Sequence, residues 1–67
     1  MFVIVKDTNG RKRHVGTWRD LELAKRTAQS FAKNIGGTYE VRAKNKRLFA
    51  YSGDAAYQDI NGNLEEL

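Results

Sequence analysis

The side chains with chemical potential in this sequence are mostly cationic. Arg11, Lys12, Arg13 and His14 form an unbroken basic run, with Lys6 and Arg19 close by. Arg42, Lys44, Lys46 and Arg47 form a second group, followed by Phe49 and Tyr51. Such groups suit nucleic acid, because cations that neutralise phosphates release counterions and so dominate affinity. Aromatic rings on the same face stack on unpaired bases, at ~1–3 kcal/mol per base. A basic two-stranded ribbon can also enter the major groove, where arginine reads guanine. Arg and Lys have a plainer use too, keeping edge strands from aggregating. The candidate binding residues are therefore Lys6, Arg11, Lys12, Arg13, His14, Arg42, Lys44, Lys46, Arg47, Phe49 and Tyr51. The expected partner is DNA or a host protein or nucleoprotein complex.

Catalysis has few parts to work with. The chain has one His, two Ser and no Cys. His14 has no second His, Cys or paired carboxylate nearby in the chain, so it reads as a cross-strand neighbour. Asp54, Asp59, Glu65 and Glu66 lack the spacing of a calcium loop. Gly36-Gly37 closes a helical pattern, whereas a phosphate cradle needs glycines where a helix begins. The expectation is a non-enzyme with no cofactor, no metal and no small-molecule substrate.

Charge is distributed unevenly. Residues 1–53 hold all 12 Lys and Arg against Asp7, Asp20, Glu22 and Glu40, a balance of +8; residues 54–67 carry −4. That pattern predicts a body that seeks phosphate or an acidic protein, and an acidic end that moderates it. A 67-residue chain makes one small domain. No apolar run approaches the roughly 18 residues of a membrane span. The opening Met1-Phe2-Val3-Ile4-Val5-Lys6 lacks the basic start and the length of a secretory signal. These features predict a cytoplasmic protein with no membrane partner.

The elements that must position the cations are legible from periodicity. Phe2–Val5 is a β-branched, apolar run and reads as a strand. Asn9-Gly10 is a type I′ hairpin signal. With those two residues at the turn, Ile4 faces Val15, Phe2 faces Thr17 and Val5 faces His14. One face then carries Phe2, Ile4 and Val15; the other carries Val3, Val5, His14 and Trp18. Both are partly apolar, so the face that meets the core stays open, while Trp18 suits a plug beneath the start of the helix. Leu21, Ala24, Ala28, Phe31, Ala32 and Ile35 fall on one helical stripe. Leu21, Phe31 and Ile35 are its large knobs, and Glu22, Lys25, Arg26, Gln29 and Lys33 take the wet side. Asp20 suits the N-cap, and Gly36-Gly37 supplies the left-handed close. Thr38–Ser52 reads as a second hairpin turning at Asn45-Lys46. That register sets Ala43 opposite Leu48 and Val41 opposite Ala50, facing the helix. Glu40, Arg42, Lys44, Phe49 and Tyr51 then occupy the other face. Tyr57–Ile60 is compatible with a short edge strand, Asn61-Gly62-Asn63 is a turn signal, and residues 61–67 read as a frayed acidic tail. The fold expected over residues 1–60 is a single α+β domain of order ββαββ. Its antiparallel sheet has three to five strands, with one helix packed on one face.

Two resemblances follow. Val15-Gly16-Thr17-Trp18, through Ala24, Arg26 and Ala32 to Gly36-Gly37, resembles the AP2-like and integrase arm-binding DNA modules. That likeness implies a sheet that enters a DNA groove, with Arg11 and Arg13 on the DNA side. Ile4-Val5-Lys6, Leu21, Ala24-Lys25-Arg26, Ala28, Gly36, Asn45 and Ala50-Tyr51 resemble small phage anti-CRISPR inhibitors of the type I-F surveillance complex. That second likeness implies a protein inhibitor that sits on a host nucleoprotein complex and blocks its access to DNA. Either resemblance implies a phage or mobile-element origin.

Overall fold

The computed structural model describes residues 1–60 and 63–66. Its element order is β1 (Phe2–Thr8), β2 (Arg11–Trp18), α1 (Leu21–Asn34), β3 (Thr38–Ala43), β4 (Lys46–Ser52), β5 (Ala55–Ile60) and β6 (Asn63–Glu66). All pair antiparallel in one sheet of spatial order β2-β1-β3-β4-β5-β6. The helix packs on one face of it, so the two-layer α+β domain expected from the sequence is what forms, with six strands instead of the three to five expected, because β6 pairs beyond β5. β5 spans more than Tyr57–Ile60 and pairs on both sides, with β4 and with β6. Of the expected frayed tail, Asn63–Glu66 pair as β6, while residues 61, 62 and 67, and with them most of the Asn61-Gly62-Asn63 turn, lie outside the described residues.

Asn9 and Gly10 both take positive φ, at 53° and 85°, as a type I′ turn requires. Asp7 steadies that turn by accepting from the Gly10 N–H at 3.0 Å. Pairing near the turn follows the expected register, with Val5 opposite His14. A β-bulge then intervenes: Ile4 pairs with Gly16, and Phe2 with Trp18. The extra residue is Val15, which is left 39% exposed instead of joining Phe2 and Ile4 in the core. The bulge also carries Trp18 to the helix side, where it packs against the core, as Leu21 does.

The helix starts as its sequence dictates. Asp20 Oδ1 accepts from the Glu22 N–H at 3.0 Å, and Glu22 and Lys33 sit at the ends the helix dipole favours. Ala24, Ala28 and Ala32 form its buried stripe. Ile35 is not one of the knobs. It falls past the last turn as the C-cap and is 64% exposed. Gly36 follows at φ 92°, and its N–H reaches the Phe31 carbonyl.

An alanine stripe leaves space between helix and sheet, so the sheet must supply the bulk. Ile4, Tyr39, Val41, Phe49 and Tyr51 do so. This overturns the expected register of the second hairpin. The turn is Lys44-Asn45, with φ 51° and 63°, one residue earlier than Asn45-Lys46. A bulge at Leu48 follows, so Val41 pairs with Phe49 and Tyr39 with Tyr51. A one-residue slip reverses every side chain of a strand. Phe49 and Tyr51 thus point under the helix, and Ala50 points away from it. Burying two rings, at 150–250 Å² apiece, outweighs burying an alanine and a leucine.

Candidate nucleic-acid interface

The sheet face away from the helix is built around one carboxylate. Tyr39 and Val41 point into the core, so Glu40 between them must point to the opposite face. Its neighbours across the sheet are Val5 on β1 and Ala50 on β4. Even there its side chain is only 1% exposed, because cations from three strands cover it. Lys12 Nζ of β2 lies 3.2 Å from both carboxylate oxygens. Arg42 Nη1 of β3 donates to Oε1 at 2.8 Å. Arg47 Nη1 of β4 stands 3.6 Å from Oε2, while its Nε donates to Asp59 Oδ2 of β5 at 3.1 Å.

Two opposing electrostatic effects act on Glu40. Burial raises its carboxyl pKa, but hydrogen bonds from Arg42 and Lys12, with their charges, lower it by more, so the net displacement is downward. Glu40 is held ionised, and this explains the pairing of β3 with β4 at this point. Arg42 stands directly opposite Arg47. Like charges so placed repel, and the shared anion relieves that repulsion. The cations stay only partly covered, so guanidinium N–H groups not spent on Glu40 or Asp59 remain able to meet a phosphate. Three cations against two carboxylates leave the cluster at +1.

The remaining candidates are dispersed. His14 stands on the same side as Glu40, its Nε2 3.4 Å from Thr17 Oγ1. Arg11 and Arg13 are exposed on β2, the sheet edge, and no carboxylate among the described residues pairs with them. Lys44 and Lys46 are exposed at and beside the second turn. Lys6 belongs to the helix side, its Nζ 5.4 Å from the centre of the Tyr39 ring.

Phe49 and Tyr51 cannot serve as an open stacking platform. They are 9% and 3% exposed, and their rings stack on each other at 6.5 Å. Lys25 lies 4.3 Å above Phe49, so it covers the core instead of facing water as expected. Burial, then the Glu22 charge, pushes the Tyr51 hydroxyl pKa upward, as befits a core phenol.

Glu40 and Asp59 are the site residues that sequence reasoning passed over. A signal existed for Glu40: it is the sole carboxylate from residue 23 to residue 53, set among strand cations. The convergence of Lys12 on it across β1 has no local trace. Compared with known protein families, curated proteins and solved structures, the chain matches none.

Proposed function

We propose that this protein is a small, non-catalytic binding protein that holds duplex DNA by its phosphate backbone. The helix-free face and the first hairpin supply the contacts. One observation carries the reading: Lys12, Arg42 and Arg47 are brought from three strands onto a single ionised carboxylate. Cations tethered in this way lose less side-chain entropy on meeting a phosphate than free ones do. Lys44 and Lys46, exposed beside that face, extend the basic footprint, and Arg11 and Arg13 add cations from the other side of the edge strand β2. The burial of Phe49 and Tyr51 favours contact with phosphates over stacking on unpaired bases.

The test is fluorescence anisotropy with a labelled duplex at two salt concentrations. Binding at ~50 mM salt that weakens steeply by ~200 mM supports the reading. Absence of duplex affinity at the lower salt overturns it. The protein-inhibitor reading, which the anti-CRISPR resemblance implies, then takes its place: free DNA is ignored while a host nucleoprotein complex is retained at high salt.

A further inference from the structure

A groove on the other side of the sheet points to a second kind of partner. It opens between the C-terminal end of α1 and the first hairpin, with a volume of about 350 Å³. Phe31 and Tyr39 form its floor, their ring centres 5.6 Å apart. Ile35 and Val15 are the aliphatic rims, and both are exposed. Lys6 and Arg13, opposed across β1 and β2, supply cations, and among the described residues no carboxylate lines the groove.

Both exposed rims have a local cause. Val15 is the residue that the bulge leaves over, and Ile35 is the cap beyond the last helical turn. Together with the aromatic floor they form an apolar slot beside an edge strand. On its outer side β2 offers main-chain N–H and C=O groups that no strand among the described residues takes up.

From this we infer that the groove and the β2 edge form a docking site for an acidic peptide segment of a partner protein, bound as an added strand. Strand addition uses main-chain hydrogen bonds for affinity and pockets for alternate side chains for choice. An apolar residue of the segment enters the slot between Ile35 and Val15. Carboxylates two positions to either side lie on the same face of the segment, within reach of Lys6 and Arg13. Charge also selects against a second copy, because β2 carries Arg11, Lys12 and Arg13 and no carboxylate to answer them. A nucleobase suits the slot less well, because Tyr39 is buried with Lys6 over its ring, which leaves only the part-exposed Phe31 to stack on. The groove lies on the opposite face of the sheet from the carboxylate cluster; Arg13 is shared with the duplex reading, so Ile35→Ser is the variant that separates the two.

The experiment is fluorescence polarisation with a short labelled peptide, one leucine flanked two positions away by glutamates. Control peptides carry serine for the leucine, lysine for the glutamates, or N-methyl groups on the amides facing β2. The glutamate–leucine peptide is expected to bind, and each control to lose most of that affinity. Ile35→Ser should weaken binding by about tenfold. Arg13→Glu should weaken it at least as much, with a loss that shrinks as salt rises. Both residues are exposed, and thermal melts of both variants should match the wild type, so lost binding reports the groove and not unfolding. Equal binding of the serine peptide, or an unaffected Ile35→Ser variant, reduces the contact to plain charge attraction and overturns the proposal. No binding of the glutamate–leucine peptide overturns it as well. So does loss of duplex affinity on Ile35→Ser, which would give the groove to nucleic acid.

Discussion

Glu40 shows how much one side chain decides in a domain this small. Its carboxylate lets two arginines face each other and draws in a lysine from across β1. Glu40→Gln keeps the shape but removes the charge, and should cost ~1–3 kcal/mol of stability. The pH dependence follows from the lowered pKa. The folded state binds this proton less readily than the unfolded chain does, so the contribution is complete above the ordinary value of 4.5. It is lost as pH falls below that value, through the folded pKa. Melting across acidic pH should therefore show a steeper loss in the wild type than in Glu40→Gln; parallel curves would remove Glu40 from that role. Gly16 makes a second residue-scale case. A Cβ there would lie 2.8 Å and 2.9 Å from two atoms of the Trp18 ring. Gly16→Ala should displace the ring and cost ~1–3 kcal/mol. As Trp18 is the only tryptophan, a red shift of its emission checks the displacement directly.

Elements here are defined by their ends and their register. The helix carries its boundaries in local chemistry: Asp20 before it, Gly36 after it, and alanines at helical spacing between. Asp20→Ala should cost about 1 kcal/mol, read as a lowered melting midpoint with unchanged helix content. β4 is different, because its turn and bulge decide which side chains are buried. Phe49→Ala should cost ~3–5 kcal/mol, close to the whole stability of such a domain, and Leu48→Ala clearly less. The reverse order in denaturant unfolding would mean that Ala43 faces Leu48 after all. This register was legible only in part. Lys44-Asn45 and Asn45-Lys46 are equally plausible turns by residue type, since asparagine accepts positive φ at either position. What separates them is the volume beneath an alanine-lined helix, which no strand contains in its own sequence.

For the whole molecule, the functional claim rests on summed charge. If the duplex is held by about four to six phosphate contacts, log K should fall with log salt at about −0.9 per contact. Replacing Arg11, Lys12 and Arg13 together by alanine should flatten that slope by roughly two to three units and weaken all sequences alike. A sequence-dependent loss would indicate base contacts, and an unchanged slope would take the first hairpin out of the interface. Among the described residues no helix is long and apolar enough to cross a membrane.

The amino-acid sequence by itself determined the order of elements through Ser52, the first turn, the helix with its caps, and the supply of cations. These follow from local preferences: positive φ at Asn9-Gly10, a carboxylate at the N-cap, and a period that puts three alanines on one stripe. Only the tertiary structure decided which cations meet, which rings are buried and which apolar residues stay outside. Bulges at Val15 and Leu48 shift the strands by one residue, and a shift of one residue exchanges the two faces of a sheet. Where to place such bulges depends on filling the space under the helix, a condition set by all the elements together.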